Sequence, residues 1–195
     1  MNAPVFAPFR PLLLFACAFR WAAAVLTAAP AAPPAPGPLW SVGGQWQGDS
    51  GAPVAPASFS GTPVVVAMFY TGCHVVCPVT VEAMQWVERN LPRDAARNCR
   101  FVLITLDPGG DTPGELRAFR REHGLSAQWT LLRASRRTTR AAADWLGVDY
   151  TAGEYRTSHR TLLVVLDGNG RVVARHTDLF PELRRLVSEV TALSR

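Results

Sequence analysis

Residues 64–70 form an unbroken apolar run, Val-Val-Val-Ala-Met-Phe-Tyr, which constrains the fold more than any other feature of the chain. A strand with one face in water alternates polar and apolar residues, so a continuous run predicts a strand that is buried on both faces. Residues 101–106 form a second run of this kind. Two such strands indicate a central sheet that is covered by helices.

Amphipathic segments alternate with these runs along the rest of the chain. Residues 78–91 carry apolar side chains at helical spacing, and Thr112-Pro113-Gly114-Glu115 has the form of a capping box that begins a second helix. Asp167-Gly168-Asn169-Gly170 is typical of the turn of a hairpin. Further strands are predicted at 129–133, 161–166 and 171–176, and further helices at 136–146 and from 181 onward.

The predicted order of elements defines the fold class. Three strands alternate with three helices, and an antiparallel hairpin and a last helix follow, which indicates an α/β protein with a mixed central sheet flanked by helices. Parallel strands, a crossover and a final hairpin are typical of a thioredoxin-like fold. Residues 40–59 contain glycine-rich turns that suit a leading hairpin, so we expect a small N-terminal extension.

The first 38 residues have the composition of an export segment. Arg10 precedes an apolar stretch at 11–29, and the proline-rich residues 31–38 follow as a linker. Arg20 divides the apolar stretch into parts shorter than the roughly 20 residues of a spanning helix, so an export signal and a membrane anchor both stay open. We expect residues 39–195 to fold as one domain in the periplasm or at the outer face of the inner membrane. Such a compartment tolerates disulfides.

The charge of the chain gives no support to a nucleic-acid surface. The formal net charge is +5, from 20 Lys and Arg against 15 Asp and Glu. Every basic residue is arginine, and the arginines are scattered without a basic run or interleaved aromatic side chains. Nucleic acid is therefore not an expected partner.

A pair of cysteines, Cys73 and Cys77, lies between the first buried strand and a helix, where α/β folds present reactive groups. Amide groups at a helix start favour the thiolate form, and Pro78 predicts that the loop ends at Cys77 itself. A structural disulfide between the two would close a very short loop and stabilise the fold little. The pair is therefore predicted to be functional, either as a redox pair or as two ligands of a soft metal such as copper. Cys99 precedes a strand and is interpreted as a core residue.

Four histidines are candidates for completing a metal site. His159 lies in a polar loop just before the strand at 161–166, where the residues alone favour a surface or capping role. His74 lies inside the cysteine motif and is a second-choice ligand or a group that tunes the thiols. His123 and His176 fall at the ends of a helix and a strand, and both are interpreted as structural.

Two spaced motifs resemble those of the Sco/SenC copper chaperones of cytochrome c oxidase assembly. Residues 70–80, Tyr-Thr-Gly-Cys-His-Val-Val-Cys-Pro-Val-Thr, are similar to the family's Y-T-x-C-x-x-x-C-P-x-T signature. Residues 106–113, Leu-Asp-Pro-Gly-Gly-Asp-Thr-Pro, are similar to its V-D-P-x-x-D-T-P segment. His159, followed by an apolar strand and the predicted turn, falls where the family places its ligand histidine.

The resemblance implies a thioredoxin fold, an N-terminal membrane tether and copper, as Cu(I) or Cu(II), held by Cys73, Cys77 and His159. It also implies delivery of copper to the dinuclear site of cytochrome c oxidase subunit II or another copper protein, or reduction of that subunit's cysteines. Two departures remove negative charge near the site. The family commonly carries Pro-Asp-Val between the cysteines, where this chain has His74-Val75-Val76, and often Asp where this chain has Ser158. Asp107 and Asp111 match the second motif, with expected roles in loop geometry and helix capping.

Two functions from different classes follow. The first is a metallochaperone, which is a binding protein and not an enzyme. The second is a thiol-disulfide oxidoreductase that uses Cys73 and Cys77 as its redox pair and takes electrons from thiol reductants. A metal-free reductase does not need His159. The copper content of the protein after reduction and copper loading separates the metallochaperone from the reductase.

Overall fold

The computed structural model describes residues 38–74, 76–148, 162–177 and 179–195. Seven strands form one mixed sheet in the order β2-β1-β5-β4-β3-β6-β7. The strands are β1 (Trp46–Gly48), β2 (Pro53–Val54), β3 (Val64–Phe69), β4 (Arg100–Thr105), β5 (Trp129–Arg133), β6 (Leu163–Leu166) and β7 (Val172–His176). The helices are α1 (Val76–Asn90), α2 (Arg93–Arg97), α3 (Pro113–Glu122), α4 (Arg136–Leu146) and α5 (Leu179–Leu193), with short 3-10 helices at Leu39–Ser41 and Pro56–Phe59.

The predicted fold class is confirmed. β3, β4 and β5 run parallel at the centre of the sheet, and β6 and β7 continue it as the predicted antiparallel hairpin beside β3. The leading hairpin is formed by β1 and β2, and β1 adds antiparallel to β5. Because the three central strands are parallel, their carboxyl ends lie at one edge of the sheet, and the loops that follow them meet there.

The apolar run of β3 is unbroken because each face of the sheet is covered. Val65, Ala67 and Phe69 face one hydrophobic core together with apolar residues of α1, α3 and α5. Val64 and Val66 face a second core on the other side, together with residues of α4 and the N-terminal 3-10 helices. Alternate side chains of one strand therefore supply both cores.

The helices differ from the sequence prediction at three points, one of which is that α5 begins at Leu179, two residues before the predicted residue 181. α1 begins at Val76, so Cys77 lies in its first turn and the prediction that the loop ends at Cys77 is wrong. A proline is tolerated in the first turn because the N–H that it lacks would have no partner within the helix. Residues 93–97, which were not predicted as a helix, form α2, with Pro92 at its N-cap.

A membrane-crossing helix would need to be long and continuously apolar, and no helix within the described ranges meets both conditions.

Candidate metal centre

Cys73 lies in the loop after β3, which is one of the three parallel strands at the centre of the sheet, and we call this loop the cysteine loop. β3 ends at Phe69, and the backbone N–H of Cys73 donates to the carbonyl oxygen of Tyr70 at 3.1 Å, which closes a turn. Cys77 follows in the first turn of α1. Both thiols therefore lie at the carboxyl edge of the sheet, as the sequence predicted.

Cys73 and Cys77 are brought into direct contact. The backbone N–H of Cys77 donates to Cys73 Sγ at 3.3 Å, and the two residues are only 9% and 7% exposed. The first N–H groups of a helix have no carbonyl partner within it, so the sulfur of Cys73 accepts a hydrogen bond that the helix leaves open. The arrangement holds two thiols side by side under the protein surface, and both sulfurs are soft ligands.

Burial raises the pKa of the Cys77 thiol to about 12, and its hydrogen bond with Cys73 adds to the effect. The sequence led us to expect the opposite direction, since amide groups at a helix start stabilise a thiolate. Desolvation of the charged form is the larger effect here. Without a metal, Cys77 is therefore a neutral thiol across the physiological range, and a metal that binds it displaces a proton.

Asp111 anchors the cysteine loop to the end of the neighbouring strand. Its carboxylate is 2% exposed and accepts hydrogen bonds from the backbone N–H of Thr71, at 3.2 Å, and from the hydroxyls of Thr71 and Thr105. Burial raises the pKa of Asp111, while the hydrogen bonds from Thr105 and Thr71 act in the opposite direction. Thr71 lies two residues before Cys73, so this carboxylate fixes the start of the loop that positions the thiols.

Of the roles expected of Asp107 and Asp111, loop geometry is found for Asp107, but Asp111 does not cap α3. The N-cap of α3 is Thr112, whose hydroxyl accepts from the backbone N–H of Glu115 at 3.3 Å. Asp107 accepts from the backbone N–H of Gly110 at 3.1 Å, which is the expected role in loop geometry. The link from Asp111 to the cysteine loop was not predicted. The sequence does contain a signal for it, which is an acidic residue in the loop after β4, the strand beside β3.

Replacing Asp111 with Asn should destabilise the protein by about 1–3 kcal/mol, because an amide offers one acceptor oxygen where three donors converge. The matched control is Asp107→Asn, which changes a more exposed carboxylate with one backbone partner and should cost less than about 1 kcal/mol. Urea denaturation of both variants measures the difference. Equal stability of the Asp111 variant and the wild type would contradict the anchoring role.

Of the remaining candidates, the structure places Cys99 away from the thiol pair and His74 beside it. His74 follows Cys73 directly and is exposed, while His159 lies outside the described residues. Cys99 is fully buried just before β4, and since β3 and β4 are parallel it lies toward the opposite edge of the sheet. Burial raises the pKa of Cys99 to about 12. In the described part of the chain, no group of three or more His, Cys, Asp or Glu side chains is arranged as a metal site.

Two histidines occupy the structural positions that the sequence indicated. The ring of His123, at the C-cap of α3, lies 4.2 Å from the ring of Phe119 between centroids. His176, at the end of β7, is 3% exposed, and its two ring nitrogens lie 2.7 Å from Glu182 and 2.8 Å from Glu189. The two glutamates belong to α5, so His176 joins that helix to the sheet.

The raised thiol pKa values predict that the reduced, metal-free protein loses stability at alkaline pH. The folded protein retains the protons of Cys77 and Cys99 up to about pH 12, whereas the ordinary thiol pKa is 9.0. Above pH 9 the unfolded chain therefore binds fewer protons than the folded protein. The contribution of the two protonated thiols to the free energy of unfolding is fully present below pH 9. It falls from there toward pH 12 by roughly 1.4 kcal/mol per pH unit for each thiol.

Urea denaturation at a series of pH values measures this slope, and the absence of lysine leaves tyrosines and the other cysteines as the further side chains that titrate in the range. Cys99→Ala removes one of the two thiols and should lower the slope by roughly 1.4 kcal/mol per pH unit. A slope that is unchanged in this variant would contradict the assignment.

A mixed sheet with a thiol pair after one of its central parallel strands defines the class of the molecule as a thioredoxin-like protein. The solved structure of BsSco, described as a member of the Sco family of cytochrome c oxidase assembly proteins, matches with a TM-score of 0.69 at 19% identity and covers 84% of this chain and 97% of that one. Copper-bound ScoI of Bradyrhizobium japonicum matches with a TM-score of 0.64 at 21% identity, over 77% and 96% of the two chains.

The family profile described as SCO1/SenC matches residues 41–193. The chain therefore belongs to the SCO1/SenC family, as its two motifs predicted. A protein of Stutzerimonas stutzeri whose name describes it as copper-binding is 26% identical over 104 residues, which is 52% of this chain. The alignment covers 51% of that relative, so the match spans about half of its length.

Proposed function

We propose that the protein is a copper-binding protein of the Sco type, which holds copper through Cys73, Cys77 and His159 and transfers it to a copper protein. The observation that carries the proposal is the contact between two buried thiols at the carboxyl edge of the sheet, with Cys77 N–H donating to Cys73 Sγ at 3.3 Å. Two thiolates and one imidazole are a donor set that suits copper. Copper-bound ScoI of Bradyrhizobium japonicum supports the same cargo.

The chain's own residues would bind the metal by exchanging protons for it. Cys77 holds its proton in the metal-free state, since its pKa is raised to about 12, and coordination releases that proton. The hydrogen bond from Cys77 N–H keeps Cys73 Sγ beside the helix start. Asp111 holds Thr71 and thereby the start of the loop, so both sulfurs are positioned before the metal arrives.

The proposed recipient is the dinuclear copper site of cytochrome c oxidase subunit II or another copper protein in the same compartment. Membership of the SCO1/SenC family supports this choice, as does the structural likeness to BsSco, whose family is described as assembling cytochrome c oxidase. An exported location agrees with residues 1–38 as a signal or tether, as the sequence predicts. A related SCO1/SenC protein of Bacillus anthracis is described as a lipoprotein, which is consistent with attachment to a membrane.

The second candidate function is thiol-disulfide exchange, which the same contact between Cys73 and Cys77 favours. In that reaction one thiolate attacks a client disulfide and forms a mixed disulfide, releasing the first client thiol. The second cysteine of the pair then displaces the other client thiol and closes the Cys73–Cys77 disulfide. Two electrons pass to the client, and an external thiol reductant must regenerate the pair.

Copper content and visible absorbance of the purified protein, after reduction and copper loading, test the proposal. We expect one copper per chain that remains bound through gel filtration. A protein that takes up no copper under reducing conditions but cycles its Cys73–Cys77 disulfide would overturn the copper proposal and favour the reductase.

A further inference from the structure

A groove of about 800 Å³ opens at the carboxyl end of β5, at the same edge of the sheet as the candidate metal centre. Its walls come from the leading hairpin, from the end of β5 and from the start of α4. Apolar side chains and polar groups share the lining, including Trp46, Gln47, Pro53, Val54, Arg133 and Ser135. β5 lies two strands from β3, so the β5 wall of the groove is roughly 10 Å from the strand that leads into the cysteine loop, and the walls from β1 and β2 lie farther out.

Arg133 is the only charged residue among the described residues that line this groove. Its guanidinium donates to Gln47 Oε1 at 3.1 Å and to the carbonyl oxygen of Pro108 at 2.6 Å, which are both neutral acceptors. Within the described ranges, no carboxylate forms an ion pair with it. A partly buried charge without a counter-ion is costly, and an anionic group in the groove would offset that cost.

Two residues of the lining also carry a buried hydrogen-bond donor without a partner among the described residues. The two donors are Arg133 Nε and Trp46 Nε1. A buried donor without an acceptor typically costs about 1–3 kcal/mol. The charge of Arg133, with only neutral acceptors around it, therefore makes the groove complementary to a group that brings negative charge.

The rest of the lining indicates the size and character of the occupant. Pro53, Val54 and Pro56 form an apolar wall, and a groove of about 800 Å³ is larger than a single small anion requires. An extended peptide segment with carboxylate and apolar side chains matches both features.

The groove is connected to the cysteine loop through hydrogen bonds. Arg133 donates to the carbonyl oxygen of Pro108, which lies in the loop after β4. Asp111 of the same loop accepts a hydrogen bond from the backbone N–H of Thr71. A segment bound at Arg133 would therefore lie next to the structure that positions Cys73.

We propose that this groove docks an acidic, partly apolar segment of the protein that receives copper or electrons from Cys73 and Cys77. The partner's role in this inference rests on the proposed function. The electrostatic complementarity of the groove itself does not depend on copper.

Gln45 allows a test that leaves Arg133 and its hydrogen bonds in place. It is an exposed residue of the lining, so its charge can be changed in both directions without disturbing the core. The probe is a dye-labelled peptide that alternates valine and glutamate, and its twin carries glutamine in place of glutamate. Binding to the full chain is measured by fluorescence anisotropy.

We expect the glutamate peptide to bind more tightly than its twin. Gln45→Glu should weaken its binding about threefold to fivefold, and Gln45→Lys should strengthen it by a similar factor. The matched control is Ala127→Glu, which adds the same charge at an exposed position just before β5, toward the opposite edge of the sheet, and should leave binding unchanged. Arg133→Gln should lose the preference for glutamate, with a thermal melt to check that it is folded.

Equal binding of the two peptides, or the same effect from Gln45→Glu and Gln45→Lys, would overturn the proposal. Self-association of the chain that Gln45→Glu abolishes would also overturn it, because the occupant would then be a second copy. Copper uptake is measured on the same samples. Peptide binding without copper uptake would support the docking groove and contradict the proposed function. Copper uptake without a preference for the glutamate peptide would support the proposed function and contradict the docking groove.

Discussion

Serine in place of either Cys73 or Cys77 is expected to lower copper affinity by about 100-fold or more. Loss of a residue that only supports a metal ligand typically costs 10-fold to 100-fold, and loss of a ligand should reach or exceed the upper end. One thiolate and one imidazole do not complete the soft three-coordinate site that the two sulfurs begin. Titration against a competing copper chelator measures the change.

Cys99→Ala is the matched control, because it removes a buried thiol that lies toward the opposite edge of the sheet. Its copper affinity should equal that of the wild type. If Cys73→Ser or Cys77→Ser retained wild-type affinity, the thiol pair would not be the copper site. Both serine variants should also lose disulfide exchange, so they test the pair as a unit and leave the two candidate functions unseparated.

The fold was predictable because its strongest signals are local. The continuous apolar run of β3 follows from burial on both faces, and its alternate residues do face two separate cores. The turn at Asp167 likewise encodes the hairpin, where Asp167 Oδ1 accepts from the backbone N–H groups of Asn169 and Arg171. Such patterns depend on neighbours along the chain, so a single sequence contains them.

The details of the candidate site depend on contacts that the sequence does not contain. The position of Cys77 at a helix start predicted a lowered pKa. Burial raises the pKa of Cys77 instead. The partner of Asp111 is Thr71, 40 residues earlier in the chain. Trp46 and Arg133 line one groove only because β1 adds to the sheet beside β5.

The proposed third ligand, His159, lies outside the described residues. Its assignment rests on the sequence and the family resemblance. His159→Ala is therefore the most informative single change. Copper affinity should fall by about 100-fold, because the donor set loses its imidazole while both thiols remain. His74→Ala is the matched control, as an exposed histidine beside Cys73, and should keep most of the affinity.

Thiol exchange responds differently to the same substitution, and this difference separates the two functions. Exchange needs an attacking thiolate and a resolving cysteine, both of which the His159→Ala variant retains, so its rate with a small disulfide should stay within about threefold of the wild type. A chaperone would lose copper transfer in this variant, while a reductase would keep its activity. If His159→Ala left copper affinity unchanged and His74→Ala lowered it, the imidazole ligand would be His74, and the copper site would lie wholly within residues 73–77.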